Sequence, residues 1–388
     1  MTVRRDATVE AVPSPSSRPR LLILSFSQLA RDARVLKQVA LFRDDFDVVT
    51  VGFGPAPEGV AGHHQVPAGM TAAKPYSRLL LARQFRLAYW RQSAVRWTRA
   101  ALRGETWDAV LANDPESLPL AFALAPRTRI HADLHEYSPR MREHLPGWSR
   151  IYGPYYAWLC QRFAARSASV TTVSRGLADE YRRVFGIDAA LVANATPFAD
   201  LAPTPTSEPI RLVHSGAALR NRGLEELVAA MARLSRPMTL DLYLVPTDPA
   251  LLAELRAAAG PGVRIHDAVP YPHLVSTLAG FDAGVFLLPP RTFSYAHALP
   301  NKFFDFVQAR LAIVVGPTPE MAELVEQHHL GWVTRDFTVE ALAEVLESLQ
   351  PAAIDAAKRA AHAAAPALAA ERQSQGWIDA ITAIVAPR

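Results

Sequence analysis

The chain of 388 residues has one cysteine, Cys160. A lone thiol excludes an intrachain disulfide and any cysteine-rich metal site, and it fits a reducing compartment. Among Tyr155, Tyr156, Trp158 and Phe163 it reads as a small buried hydrophobe. No apolar run approaches the roughly 20 residues that span a bilayer, and the N-terminus has no signal-peptide core, so a cytoplasmic protein is expected. A glycine-rich dinucleotide fingerprint is also missing. The first loop, SQLARDARV, offers Arg31, Asp32 and Arg34 instead, which argues against a nicotinamide-type site. A formal net charge of +4 gives no case for nucleic acid. Asp45-Phe46-Asp47 has the D-x-D spelling of a metal-binding pair. It lies at a helix-to-strand junction, where paired acids are turn chemistry, and no metal or other cofactor is expected.

What is present is size and alternation. A chain this long exceeds what one hydrophobic core usually supports, so two domains are expected. With 50% hydrophobic and 20% charged residues the composition is globular. Residues 1–18 are polar and rich in Ser, Pro and Arg, and read as a disordered tail. From RLLILSFS onward, strands and helices alternate through FDVVTVGF, WDAVLAND, RIHADLHE and SVTTVS. A second series follows in RLVHSG, MTLDLYLV, VRIHDAV, AGVFLLP, LAIVVG and GWVT. Such alternation implies an α/β fold of parallel sheets with right-handed crossovers. Between Asn194 and Pro209 the segment is rich in Pro, Thr and Ser and has no periodicity, which puts a linker at 199–209. The domains are then 19–198 and 210–365, leaving a helical, aromatic tail at 366–388.

Residues 295–323, YAHALPNKFFDFVQARLAIVVGPTPEMAE, read as a loop, a helix opening on proline, a buried strand and a second helix start. Pro300 suits the first helical position. Lys302 in the first turn meets the positive end of the helix dipole, a misfit unless an anion lies there as well. Asp305 shares its face, so a phosphate on Lys302 and a sugar diol on Asp305 are one reading; an intrahelical ion pair is the plainer one. A second cationic helix start lies in IRLVHSGAALRNRGLEELVAAMAR, with Arg220, Arg222 and Gly223 before the helix. Two such turns of one sheet would converge at the carboxyl ends of the strands on a shared diphosphate. In the first half, HADLHEYSPRM gathers Asp133, His135, Glu136 and Arg140 directly after a buried-type strand, where catalytic loops sit.

The strings SGAALRNRGLEELVAAM and ALPNKFFDFVQARLAIVVGPTPEMAELV resemble the donor-binding domain of GT-B glycosyltransferases, in particular family 4. That resemblance implies two doubly wound Rossmann-like domains facing a cleft, with the last helix crossing back to the N-terminal domain. It implies transfer of a sugar from a nucleotide diphosphate sugar to an acceptor hydroxyl, with retained anomeric configuration, without a metal, and with the departing phosphate taking the acceptor proton. Gly216, Arg222 and Lys302 would bind the donor diphosphate, and Asp305, His297 and Asn301 its ribose and sugar. Val269 and Tyr271 would flank the base, with His266 nearby. Asp305 matches the second acid of the family's Glu-x7-Glu motif; His297 stands at the first acid, and Ala217 where an arginine is common. A subfamily with an LPNK-type helix start lacks both features, and this chain resembles it. DLHE resembles that subfamily's DxHE segment, so His135 would touch the donor sugar while Asp133 or Glu136 orients it or helps deprotonate the acceptor. Arg31, Asp32, Arg34 and Arg140 would line the cleft on the acceptor side.

From Arg78 to Arg103 there are seven arginines and no acid, interleaved with Phe85, Tyr89, Trp90 and Trp97. Contact with an anionic membrane surface or a lipid-linked acceptor is one reading. The arginines scatter around a single helical wheel, which argues against a simple in-plane helix. Two other functions fit the same fold: a sugar-nucleotide epimerase, and a non-catalytic nucleotide-binding partner subunit. Retention of the DLHE cluster argues against the latter.

Overall fold

The computed structural model describes residues 18–72 and 75–386; the tail expected at 1–18 lies almost wholly outside them. Short aliphatic runs form the strands of two wholly parallel sheets. The first comprises β1 (Arg20–Gln28), β2 (Asp47–Phe53), β3 (Gly62–Gln65), β4 (Ala109–Asn113), β5 (Ile130–Leu134), β6 (Ser169–Thr172) and β7 (Ala189–Leu191). Its order is 3-2-1-4-5-6-7. The second comprises β8 (Ile210–Ala217), β9 (Met238–Val245), β10 (Val263–Asp267), β11 (Ala283–Phe286), β12 (Ala312–Val315) and β13 (Gly331–Val333), in order 10-9-8-11-12-13. Central strands such as LLIL in β1 are buried on both faces, which is why they read as continuous apolar runs. In each sheet the order reverses beside the first strand, between β1 and β4 and between β8 and β11, and crevices form at the carboxyl ends there.

No helix or strand lies between β7 and β8; residues 192–209 connect one sheet to the other without regular structure. The last helix, Gln375–Val385, returns to the N-terminal sheet. Its Trp377 is buried with Val35, Leu111 and Val192, and the Arg34 guanidinium lies 4.5 Å above the indole. Gly376 permits that approach, since a Cβ there would lie 2.8 Å from Val192.

Three local expectations are corrected. Strands β3 and β7 were not anticipated; at four and three residues on sheet edges they carry little periodicity. Arg78–Arg103 is not one helix but three, Ser77–Leu81, Phe85–Trp90 and Ser93–Ala101, with Arg83 left-handed at the first break (φ 56°). A single helical wheel therefore does not describe its arginines. Pro300 is not the first helical residue but the extended residue before it (φ −76°, ψ 153°), and the helix runs Asn301–Gln308. Asp45 lies in the turn before β2 and Asp47 is its first residue, at the end of the sheet away from the cleft.

Candidate active site

One cleft wall comes from each sheet. On the C-terminal wall, β8 runs into a loop that returns through Gly223 to the helix Leu224–Met231. Gly223 is left-handed (φ 76°), and a Cβ there would approach Leu287 to 3.0 Å, so the turn calls for glycine. It sets Arg222 beside Tyr295, guanidinium to ring centroid 4.9 Å, with Nε buried and without a hydrogen-bond partner. An unmade buried hydrogen bond costs about 1–3 kcal/mol, more for a charged group; an anionic acceptor would remove that cost.

Lys302 occupies the first turn of Asn301–Gln308. Its Nζ lies 2.9 Å from His214 Nε2 and 4.1 Å from the Phe286 ring centroid, and it joins no ion pair among the described residues. Burial, then the like charge of Arg222, push it well below the ordinary lysine range, against the pull of Asp305. The left-handed Gly216 (φ 147°) makes room for it: a Cβ there would lie 2.7 Å from Nζ. Asp305 turns elsewhere, accepting from Thr196 Oγ1 at 2.5 Å, so the intrahelical Lys302–Asp305 pair does not form. Burial raises the Asp305 carboxyl to about 6, against the Thr196 bond, Lys37 and Lys302. Gly216, Val269, Tyr271, Asn301, Lys302 and Asp305 all border one cavity of about 370 Å³. His266 is not among its lining; it stacks on Tyr243 (4.7 Å between centroids) and bonds Asp241 at 2.6 Å.

The N-terminal wall is already neutralised. Asp133, at the end of β5, is fully buried and takes two 2.6 Å hydrogen bonds from Arg34, one of 2.8 Å from Gln38 and one of 2.7 Å from Thr171. Burial alone would raise its pKa; the Arg34 charge and hydrogen bonds, with His135, hold it well below the usual carboxylate range. Arg34 also donates to Val192 O and Asn194 Oδ1. It touches the cleft floor but is a buried structural group, and Asp133 is enclosed too fully to take a proton from the cleft.

His135 is partly exposed between two acids. Nδ1 lies 3.3 Å from Asp114 Oδ2, and Nε2 lies 3.3 Å from Asp133 Oδ2 and 3.1 Å from Asn113 Oδ1. Burial works against its charge, but Asp114 and Asp133 outweigh it and raise the pKa. Both ring nitrogens face oxygen acceptors, an arrangement that suits a cationic donor rather than a basic lone pair. Glu136 shares a smaller cavity, about 140 Å³, with His135, Asn194, Arg222 and Tyr295. Burial, then Asp114, raises its pKa. Arg31, Asp32, Arg34, His135 and Asn301 border a third cavity of about 460 Å³, although Asp32 also caps the helix Ala33–Phe42 through the N–H groups of Arg34 and Val35.

Besides the enclosed Asp133 and the displaced His266, Arg140 and His297 are not brought to these cavities. Arg140 is exposed, pairs with Glu143 at 2.6 Å and lies over the Phe293 ring at 4.8 Å. His297 faces the other domain. Its Nδ1 is 3.1 Å from Glu320 Oε1, which also accepts the Gly176 N–H at 2.8 Å, and its carbonyl accepts Ser174 Oγ–H at 2.7 Å. It packs so tightly on Gly176 that a Cβ there would fall 1.9 Å from Nδ1. The residue in the position of the family's first acid is thus an interdomain contact.

Sequence reading missed Asp114, Glu116 and His214. The first two follow β4 in NDPE, a pair of acids at a strand end, the same criterion that selected DLHE. Asp114 is left-handed (φ 62°) and accepts the His135 N–H at 3.1 Å; Glu116 accepts from Tyr156 at 2.7 Å, and burial followed by Asp114 pushes it to about 7. His214 sits inside an apolar strand, where no pattern separates it from core.

The Glycosyltransferase Family 4 profile matches residues 40–197, and the Glycosyl transferases group 1 profile matches 209–350. Among solved structures, HepE of Anabaena in complex with UDP and glucose is 14% identical, with 94% of this chain and 100% of that one covered at a TM-score of 0.69. Sucrose-phosphate synthase from Thermosynechococcus elongatus is 14% identical, at 93% and 98% coverage and a TM-score of 0.68. WaaG, a glycosyltransferase involved in lipopolysaccharide biosynthesis, is 14% identical, at 95% and 100% coverage and a TM-score of 0.65. No curated protein sequence matches significantly. With one family match in each of two parallel-sheet domains that meet at a cleft, the chain is a GT-B glycosyltransferase of the family 4 and group 1 type.

Proposed function

We propose that this enzyme moves a sugar from a nucleoside diphosphate sugar, held on the C-terminal wall, to an acceptor hydroxyl presented from the N-terminal wall. The observation that carries this reading is the buried, unpartnered Arg222 Nε, in the cavity that His135 and Glu136 share. Arg222 and Lys302 take the diphosphate and stabilise the charge that grows on it as the glycosidic bond breaks. Asp305 holds the ribose, and the Val269–Tyr271 segment flanks the base. His135, as a cationic donor, holds a sugar hydroxyl. Glu136 is the carboxylate on the open side, and an acceptor enters past Arg31 and Asn301. Following the family, the product retains the anomeric configuration, and the departing phosphate takes the acceptor proton. UDP is the first nucleotide to test, since it is bound in the HepE structure. In a thermal-shift panel of UDP, GDP, TDP and their sugars, one nucleotide at 100 times its dissociation constant should stabilise by about 2.7 kcal/mol. A panel without any shift contradicts the reading.

Two fixed cations already neutralise the leaving group, so turnover should continue in excess chelator and Asp45→Asn should be silent. Loss of activity in chelator, restored by manganese or magnesium, contradicts this.

The acceptor side carries a surface suited to an anionic bilayer. The sequence has no acid from Gly59 to Gly104, and its seven arginines there are all exposed. Tyr76, Leu81 and Leu87 stand out among them at 58%, 53% and 46% exposure. No helix among the described residues is long and apolar enough to cross a membrane, so the contact is peripheral, with cations on anionic headgroups and apolar side chains below them. The protein should sediment with phosphatidylglycerol vesicles and not with phosphatidylcholine vesicles, and Arg78, Arg83 and Arg86 changed together to Gln should abolish this. Equal behaviour with both vesicles contradicts it.

A further inference from the structure

His214 is a buried titratable group with no part in the scheme above. Its Nδ1 lies 2.8 Å from Val285 O. A carbonyl only accepts, so Nδ1 carries the proton and Nε2 keeps a lone pair. That lone pair faces Lys302 Nζ at 2.9 Å. Lys302 has no carboxylate to fix its orientation, and its stem carries four rotatable bonds. Three features confine its head: the His214 lone pair, the Phe286 ring at 4.1 Å, and the bare Cα of Gly216. Of these only His214 is directional. An ammonium has three N–H groups, and with one given to His214 the other two are aimed.

We propose that His214 is a positioning residue: a neutral imidazole that anchors Lys302 through Nε2 and directs its remaining N–H groups into the 370 Å³ cavity, toward the donor diphosphate. Its neutrality is essential to the role, since a protonated ring would repel the ammonium and offer it no lone pair. Burial, and then Lys302 itself, keep the ring well below its ordinary pKa. This inference rests on the donor site proposed above.

Binding should also depend on pH in a characteristic way. Lys302 faces Arg222, Asp305 and His214. Because burial and Arg222 depress its pKa, affinity for UDP should decline at a pH below the free-lysine value of 10.5. Removing the acceptor at His214 leaves the ammonium less stabilised and moves the decline to lower pH. Removing Arg222 moves it to higher pH.

The test is calorimetric titration of UDP across pH with wild type, His214→Leu, His214→Gln, Lys302→Met and the double variant His214→Leu/Lys302→Met. His214→Leu should weaken binding roughly tenfold, the scale of one charge-assisted hydrogen bond, and shift the pH limb down. His214→Gln, which can donate to Val285 O and accept from Lys302, should restore both. In the Lys302→Met background His214→Leu should have no further effect. An equal loss in both backgrounds marks a merely structural role and overturns the inference, whatever happens to the melting temperature. Lysine side-chain NMR of the ligand-free protein separates this from failure of the donor reading. The chain has four lysines, Lys37, Lys74, Lys302 and Lys358, and the Lys302 signal should shift in its titration with His214→Leu but not with His214→Gln. An unchanged Lys302 titration overturns the positioning role even if UDP binds; absence of UDP binding with a changed titration removes the donor site and the proposed target together.

Discussion

The two walls of the cleft treat their cations in opposite ways. On the N-terminal wall Arg34 is buried against a buried carboxylate, with two 2.6 Å hydrogen bonds to Asp133. On the C-terminal wall Arg222 and Lys302 are half-buried, with the Arg222 Nε enclosed, and neither has a carboxylate partner among the described residues; Lys302 leans on a neutral imidazole instead. A buried charge is tolerated when it is paired and hydrogen-bonded. One wall therefore satisfies itself in the folded chain, while the other is suited to an anion from outside. The difference separates architecture from recognition: disturbing the first should cost stability, and disturbing the second should cost affinity.

The largest expected effect is on the self-satisfied wall. Asp133→Ala leaves Arg34 buried without its partner and should destabilise by about 3–5 kcal/mol, read by chemical denaturation; a loss under 1 kcal/mol would break the comparison. Next comes His135→Ala. As a charged donor in the cleft, its removal should lower kcat by roughly 10²–10³ while UDP affinity, carried by the other wall, stays near wild type. A matched fall in affinity would place His135 in donor binding instead.

A smaller effect sharpens the comparison through pH. Burial raises the Asp305 carboxyl from 3.8 to about 6. A carboxyl raised in the folded state contributes stability that is complete below the unfolded value and is lost as pH rises through the folded one. Unfolding free energy should therefore fall by about 2–3 kcal/mol between pH 4 and 6, and Asp305→Asn should flatten that limb. An unchanged pH dependence in the variant would contradict it. The smallest effect should come from Arg140→Ala. This exposed side chain pairs only with Glu143 and an aromatic face, so stability should change by about 0–1 kcal/mol and transfer rates stay as in wild type; a large loss of turnover would return Arg140 to the acceptor site.

What was legible in the sequence follows from which physics is local. Strand runs such as LLIL and AIVV, the Arg222-Gly223 turn and the DLHE cluster are written in consecutive residues, and each could be placed before any coordinates. His297 shows the limit. The family resemblance put it beside the sugar, at the position of the motif's first acid, but tertiary packing against Gly176 and a hydrogen bond to Glu320 from a later helix turn it to the opposite domain. Arg34 and Asp133 are 99 residues apart, so their mutual neutralisation could not be read from either segment. His214 is hidden for a related reason: an apolar strand run says that a residue is buried, not that a lysine 88 residues later meets it there.

The most direct test of the contrast between the walls is calorimetric titration of UDP into wild type, Arg222→Ala and Lys302→Ala, with unfolding measured on the same samples. Each variant should bind more weakly by about 1.5–3 kcal/mol, the scale of hydrogen bonds to charged groups, with little loss of folding stability. Wild-type affinity in both variants, or a loss of stability like that of Asp133→Ala, would show that these cations serve the fold rather than a bound diphosphate.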